Sequence, residues 1–387
     1  MKKTLKKVSV LFITLAMVLG LTACGGADYT SENTEYVIGV SGPLTGDAAV
    51  YGVAVKNAAQ MAVDEINEAG GLNGIKFKLE ATDDTHDAKK VATNYATMYE
   101  GGMQVSLGTV TTAPGLEYSK LSAEDNVFFL TPSASGDDIP AEDNGFQMCF
   151  ADGNQGKVAA DYVNSLGLKE IGIFYKSDDP YSNGIYKQFK DNLDSSIKTV
   201  EAVFMGKSQD FSAQITTLKD CSFIFMPIYY QPASVFMTQA KDTIAADAIY
   251  YGCDGFDGLA GQFKDFSVIP QEVSMLSHFD SNATEGAAAD FVKKYTEKYG
   301  TDTLNQFGAS AYDCVYAIYN AMKAAVDAGE EIDVTISASD LCEILKAQFT
   351  GGFSYSGVTG NDITWEDNGY VSKEAVKYTL KEANSAQ

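Results

Sequence analysis

The sequence predicts an α/β protein of two units, each a parallel sheet flanked by helices. Three observations carry this. Short apolar runs of strand length alternate with amphipathic runs of helix length, and that rhythm implies parallel strands joined by helical crossovers. The alternation begins at Tyr36 and begins again after "GFQMCF" (145–150). Setting aside a leader of residues 1–23 leaves 364 residues, more than one ordinary core holds, so two domains are expected.

The leader comes first along the chain. "MKKTLKK" supplies four lysines, and sixteen uncharged residues follow before Cys24. A membrane-spanning helix needs about 20 apolar residues, so residues 1–23 read as a signal peptide. The cut site, "LTAC" followed by "GG", resembles the bacterial lipobox, in which the cysteine becomes the lipid-modified first residue. An ordinary cleaved signal is the plain alternative, and Leu21 with Ala23 favours lipidation of Cys24. Residues 24–35, small, polar and acidic after the cysteine, read as a tether.

The first unit then runs strand by strand. "YVIGVS" (36–41) reads as a buried strand, and residues 48–70 place Val55, Ala58, Ala62, Ile66 and Ala69 at helical spacing before a glycine. "IKFKLEAT", a helix from about Asp87, "MQVSL", a helix from about Pro114 and "VFFL" follow. In the second unit "EIGIFYK" (170–176), "TVEAVFM" (199–205), "SFIFMPI" (222–228) and "AIYYGCDG" (248–255) read as strands with helices between them. From Thr284 two long helical patterns appear, and the end from Phe353 reads as short strands and turns. Each unit opens with a strand, then a loop bearing Tyr and Gly, then a helix, a weak internal echo.

Charge and cysteines narrow the class. The formal net charge is −24, and −28 once the four leader lysines are gone. Nucleic acid and anionic lipid both call for a basic footprint, so neither is expected as a partner. Cys149, Cys221, Cys253, Cys314 and Cys342 are odd in number and irregular in spacing, with no CxxC, and read as free, half-buried small residues.

In an open α/β sheet, ligands sit beyond the carboxyl ends of the strands. That rim gathers "SGPLTGDAAVYG", "LGTVTTAP" and "LTPSASG" from the first unit, with "KSDDPYSNG", "PIYYQP" and "GCDG" from the second. The loops do not look catalytic. GxSxG, GxxxxGK[ST] and GxGxxG are all absent, which leaves no nucleophile elbow and no nucleotide cradle. "DDTHD" around His86 lacks the spacing that would converge metal ligands. No enzyme activity, cofactor or metal is expected.

Hydroxyl clusters end two strands of the same unit. Thr111 and Thr112 precede Pro114, where a capping role would account for one loop alone. Two such loops, with Ser133 and Ser135 in the second, suit a carboxylate held by hydroxyls and backbone N–H groups. Asp254, flanked by glycines, suits an ammonium group, against the plain alternative of a solvated turn. Together they make a place for a zwitterion, an α-amino acid, which Tyr51, Tyr181, Tyr229 and Tyr230 could wall.

The stretch "YVIGVSGPLTGDAAVYGVAVKNAAQMAVDEINEAGGLNG" resembles the opening of the leucine/isoleucine/valine-binding protein family, the substrate-binding subunits of branched-chain amino-acid ABC importers. The likeness continues through "ATDDTHDAKKVATN", "LGTVTTAPGL", "VFFLTPSAS", "FYKSDDPYSNG" and "YYGCDG", from Tyr36 to about Trp365. It implies a type I periplasmic-binding-protein fold: two Rossmann-like lobes, a three-crossover hinge and closure on a small ligand. Lobe 1 is expected at 36–150 with 279–355, and lobe 2 at 151–278 with 356–387.

By the same resemblance Thr112 binds the ligand carboxylate, while Ser133 and Ser135 serve the amino group and carboxylate. Tyr51 and Tyr181 wall the site from opposite lobes. Tyr229, or Tyr230 if the register shifts by one, adds a second-lobe phenol. Asp254 stands where the family has an acid for the ammonium, usually a longer glutamate. His86 and Thr111 stand where the family has a disulfide. The implied function is capture of an amino acid, branched-chain or otherwise apolar, by an extracytoplasmic lipoprotein anchored to the cell membrane. The implied partners are the permease and ATPase subunits of an ABC importer, and the receptor is expected to be a monomer. A ligand-sensing receptor of the same fold, for an amino acid, amide or urea, is the alternative.

Overall fold

The computed structural model describes residues 33–382. The signal peptide at 1–23 and the lipidation site at Cys24 lie outside the described residues. Five parallel strands form the first sheet: β1 (Tyr36–Gly42), β2 (Phe77–Asp83), β3 (Val105–Ser106), β4 (Phe129–Thr131) and β5 (Gly145–Gln147), in the order β2-β1-β3-β4-β5. Helices α1 (Ala49–Glu68), α2 (Val91–Glu100) and α3 (Thr112–Glu124) cross between these strands. β1 is buried along its whole length, as a strand covered by helices on both faces must be. The helical face of α1 is buried at Val55, Ala58, Ala62 and Ile66, and the chain leaves the helix at Gly70 with φ at 106°.

The second sheet holds β6 (Glu170–Lys176), β7 (Lys198–Phe204), β8 (Phe223–Met226), β9 (Ile249–Gly252), β10 (Glu272–Ser277) and β11 (Val376–Lys381). Its order is β11-β10-β9-β8-β6-β7, with β11 antiparallel at the edge and the other pairs parallel. α4 (Asp152–Ser165), α5 (Pro180–Asn192), α6 (Ser212–Leu218) and α7 (Tyr230–Ala240) accompany it. α5 starts cleanly because Pro180 occupies its first position and the Asp179 carboxylate accepts from Tyr181 N at 3.0 Å.

After β10 the chain returns to the first sheet. α8 (Gly286–Tyr299), α9 (Gln306–Asp327) and α10 (Ala338–Thr350) complete its cover. Glu65 of α1 accepts from the hydroxyls of Tyr312 and Tyr316, at 2.6 and 3.0 Å, and Phe349 packs on Phe128 and Phe146. The following segment stays on that side: Trp365 Nε1 donates to Gln147 O at 2.8 Å, and Gln147 N donates to Gly369 O at 2.9 Å. Only then does the chain join the second sheet as β11. It therefore passes between the sheets three times, after β5, after β10 and before β11. The fold is a two-lobed α/β structure of mostly parallel sheets with three crossovers.

Candidate functional site

The seven residues expected to bind ligand line one small cavity of about 10 Å³ between the two sheets. Tyr51 comes from the first turn of α1, Thr112 opens α3, and Ser133 and Ser135 lie in the loop after β4. Tyr181 opens α5, Tyr229 precedes α7 and Asp254 follows β9. Each stands where a strand ends and a helix or turn begins.

The hydroxyls are used unequally. Thr111 holds the N-cap position of α3 but does not cap it: its Oγ1 bonds His86 Nδ1 at 2.9 Å. Thr112 is buried, its methyl side faces Gly136, where an added Cβ would approach to 2.7 Å, and its Oγ1 has no partner. An unanswered buried hydroxyl is costly, and this one opens on the cavity. Ser133 gives its hydroxyl to Val110 O at 2.7 Å, which leaves its backbone for other work. Thr131 knits the two loops, donating to Thr109 O at 3.0 Å and accepting from Ala134 N at 3.0 Å. Ser135 O accepts from Asp152 N at 2.7 Å.

Across the cavity the second lobe presents acid and phenols. Tyr181 Oη donates to Asp254 Oδ1 at 2.6 Å and accepts from Gly255 N at 2.9 Å. Tyr229 stacks on Tyr181, with ring centroids 4.5 Å apart and planes within 12°, and its buried hydroxyl is unpartnered. Tyr230 contributes differently: its ring meets Tyr51 edge-on at 5.0 Å and its backbone N–H approaches Tyr51 Oη at 3.4 Å. Burial pushes the Asp254 carboxyl up to about 6, against the pull of hydrogen bonds from Tyr181, Gln155 and Gly255. Asp254 is thus a desolvated acid that a cation would hold in its charged form.

Several residues of the site carried no signal in the sequence. Asp152 and Gln155, on the first turn of α4, back the acid: Asp254 N donates to Gln155 Oε1 at 3.0 Å. Burial, and then the neighbouring Asp254 charge, pushes the Asp152 carboxyl well above the usual range. Their place, just after a crossover in "FADGNQG", is the one hint the sequence offers. Phe307 reaches the cavity from α9, far along the chain. His86, with φ at 60°, turns its ring edge-on to Tyr229 of the other lobe at 5.2 Å. It shares a neighbouring cavity of about 80 Å³ with Asp179 and Lys176.

The acids of "DDTHD" are already engaged by protein. Asp83 accepts from Leu44 N and Thr45, Asp84 from His86 N and Ser41, and Asp87 from Lys89 N. Among the described residues, no group of three or more His, Cys, Asp or Glu could hold a metal. Cys149, Cys221, Cys253, Cys314 and Cys342 are all free and buried, deeper than the half-buried places expected. A buried free sulfhydryl serves as a small hydrophobe.

Comparison with known proteins follows the same outline. A profile described as periplasmic binding protein matches residues 35–376. The chain is similar to the Leu/Ile/Val-binding protein BraC3 of Rhizobium johnstonii, 28% identical over 361 residues, covering 90% of this chain and 95% of the relative. It is also similar to the leucine-, isoleucine-, valine-, threonine-, and alanine-binding protein of Pseudomonas aeruginosa, 26% identical over 86% of this chain and 88% of that one. Among solved structures, the branched-chain amino acid transporter substrate binding protein LivJ of Streptococcus pneumoniae, in complex with isoleucine, superposes with a TM-score of 0.76. It is 25% identical, covering 89% of this chain and 100% of that one. The leucine binding protein LivK of Thermotoga maritima shares the fold, with a TM-score of 0.77, 22% identity, and 90% and 96% coverage.

Proposed function

The chain belongs to the periplasmic binding protein family, and from that premise we propose that it captures an α-amino acid, branched-chain or otherwise apolar, outside the cell for an ABC importer. The family binds substrates for transport and is not enzymatic, so the protein is a binding protein. One observation carries the amino-acid reading. Thr112 Oγ1, buried and unpartnered, opens on the same cavity as the desolvated Asp254 carboxyl. A donor without a partner suits a carboxylate, and an acid out of water suits an ammonium. The names of the relatives support the class: BraC3 and the Pseudomonas protein are amino-acid-binding proteins.

In this reading the ligand docks on Thr112, Ser135 and the backbone around Ser133, and Tyr51, Tyr181, Tyr229 and Asp254 enclose it. The tail corrects the expected lobe bounds: Thr359 bonds Asp313 of α9, and Trp365 and Gly369 bond Gln147 of β5. In this reading the first lobe is 36–150 with 279 to about 373, the second is 151–278 with β11, and Cys24 carries the lipid anchor. Permease and ATPase subunits receive the ligand, and the receptor works as a monomer. A thermal-shift screen of the chain from Cys24 onward against the twenty amino acids tests the ligand class. Selective stabilisation by some of them is expected, since a ligand that binds the folded form raises its melting midpoint. No shift with any amino acid would sink the reading.

A further inference from the structure

The turn that follows β9 acts on both lobes at once. From Asp254 to Asp257 the chain makes one short helical turn, closed by Asp257 N donating to Asp254 O at 2.9 Å. Its first residue faces the ligand cavity. Two of its polar contacts reach the opposite lobe. Tyr51 Oη, on α1, donates to Gly255 O at 2.6 Å, and Asp257 Oδ2 accepts from Gln306 N at 2.9 Å.

Gln306 is the first residue of α9. The next two N–H groups, of Phe307 and Gly308, go to Asn305 Oδ1 at 3.1 and 3.0 Å. The N–H that Asn305 leaves over is the one Asp257 takes, and a carboxylate is favoured at that end of a helix. Phe307 lines the ligand cavity and packs edge-on against Tyr51, with centroids 4.9 Å apart at 78°. The turn has no slack: a Cβ on Gly255 would lie 2.6 Å from Tyr181 Oη, and Gly258 closes the turn with φ at 88°. Any shift of Asp254 therefore carries Asp257 with it.

We propose that Asp257 is a positioning residue for ligand capture: by capping α9 across the cleft it holds Phe307 and Tyr51 of the first lobe against the ligand that Asp254 engages. Lobe closure and ammonium recognition are then performed by one four-residue turn. The ligand half of this rests on the amino-acid reading above; the cross-lobe half does not.

The test uses the chain from Cys24 onward in two arms. In the first, small-angle scattering without ligand compares the unaltered protein with Asp257→Ala and Asp257→Asn. The alanine variant should shift toward wider lobe separation, and asparagine, which keeps an acceptor, should lie nearer the unaltered protein. In the second, stopped-flow kinetics use the amino acid with the largest thermal shift in the screen. Asp257→Ala should raise koff by about tenfold and leave kon within about threefold, the usual split when a contact forms only after docking. If alanine fails to fold, Asp257→Asn and Tyr51→Phe probe the same turn. Unchanged scattering with unchanged koff overturns the proposal, as does an equal loss in kon and thermal stability, which would mark a merely structural aspartate. If no amino acid shifts the unaltered protein, the capture reading fails and scattering alone decides the latch.

Discussion

Replacing Thr112 by valine separates two quantities that most substitutions change together. The hydroxyl is buried, has no protein partner and faces the cavity, while the methyl side is packed toward Gly136. Valine keeps the shape and removes the oxygen. In the unliganded protein this relieves an unsatisfied buried group, whose penalty is about 1–3 kcal/mol. The unliganded melting midpoint should therefore hold or rise by a few degrees, at roughly 2–4 °C per kcal/mol for lobes of this size. In the complex the same change deletes a hydrogen bond to a charged carboxylate, worth about 1.5–3 kcal/mol. At about 1.4 kcal/mol per tenfold, affinity should fall by roughly 10- to 150-fold. The fall should be alike for every amino acid that binds, because the carboxylate is common to all of them. Titration calorimetry gives the affinities and scanning calorimetry the midpoints. A loss below about threefold, well under the value of one charged hydrogen bond, would refute the assignment. So would a marked drop in unliganded stability, which would make the hydroxyl a structural group.

Other consequences are equally open to measurement. Burial raises the Asp254 carboxyl to about 6 in the folded form. That form gains stability below the ordinary carboxyl value and loses it as pH rises through about 6, whereas the ligand's ammonium needs the ionised acid. Amino-acid affinity should thus fall between pH 7.5 and 5, by up to about tenfold per unit below 6, and Asp254→Asn should flatten the profile. Lys373 is buried, donates to Thr359 Oγ1 at 2.5 Å and is pushed by burial down to about 8. The folded state then binds fewer protons than the unfolded one between about 8 and 10.5, so this lysine makes stability rise with pH across that window. The melting midpoint of the unaltered protein minus that of Lys373→Met should climb from pH 8 to 10; a flat difference would refute it. Cys24→Ser should release the protein from the membrane fraction, and an unchanged fraction would count against the lipid anchor.

The strands and first helix were legible because their side chains repeat a simple geometric demand. β1 is apolar throughout and lies buried throughout; α1 places its apolar residues one turn apart and buries them. Tyr51, Thr112 and Asp254 were legible for a related reason, since each lies in the loop or first turn that follows a strand, where an α/β sheet opens its crevice. What the sequence withheld was long-range. Nothing near Phe307 or Asp257 announces that one lines the cavity and the other caps α9 from across the cleft. The resemblance named Thr112 for the carboxylate, but the physical reason was invisible: His86, 25 residues away, claims the Thr111 hydroxyl. β3 and β4 fall in the expected strands "MQVSL" and "VFFL", while β5, three residues long, is too short to show a period of its own.

The late return of the chain to both sheets has a consequence for how the molecule comes into being. The buried face of α1 rests on α9, whose last residue is Asp327, and the edge of the second sheet is β11, ending at Lys381. Neither lobe can finish until almost the whole polypeptide is present, and contacts this distant in sequence make folding slow. A chain delivered with its N-terminus leading would spend most of its passage without either core complete. The same topology that sets two lobes around a cleft thus keeps the nascent chain threadable until its last strand arrives.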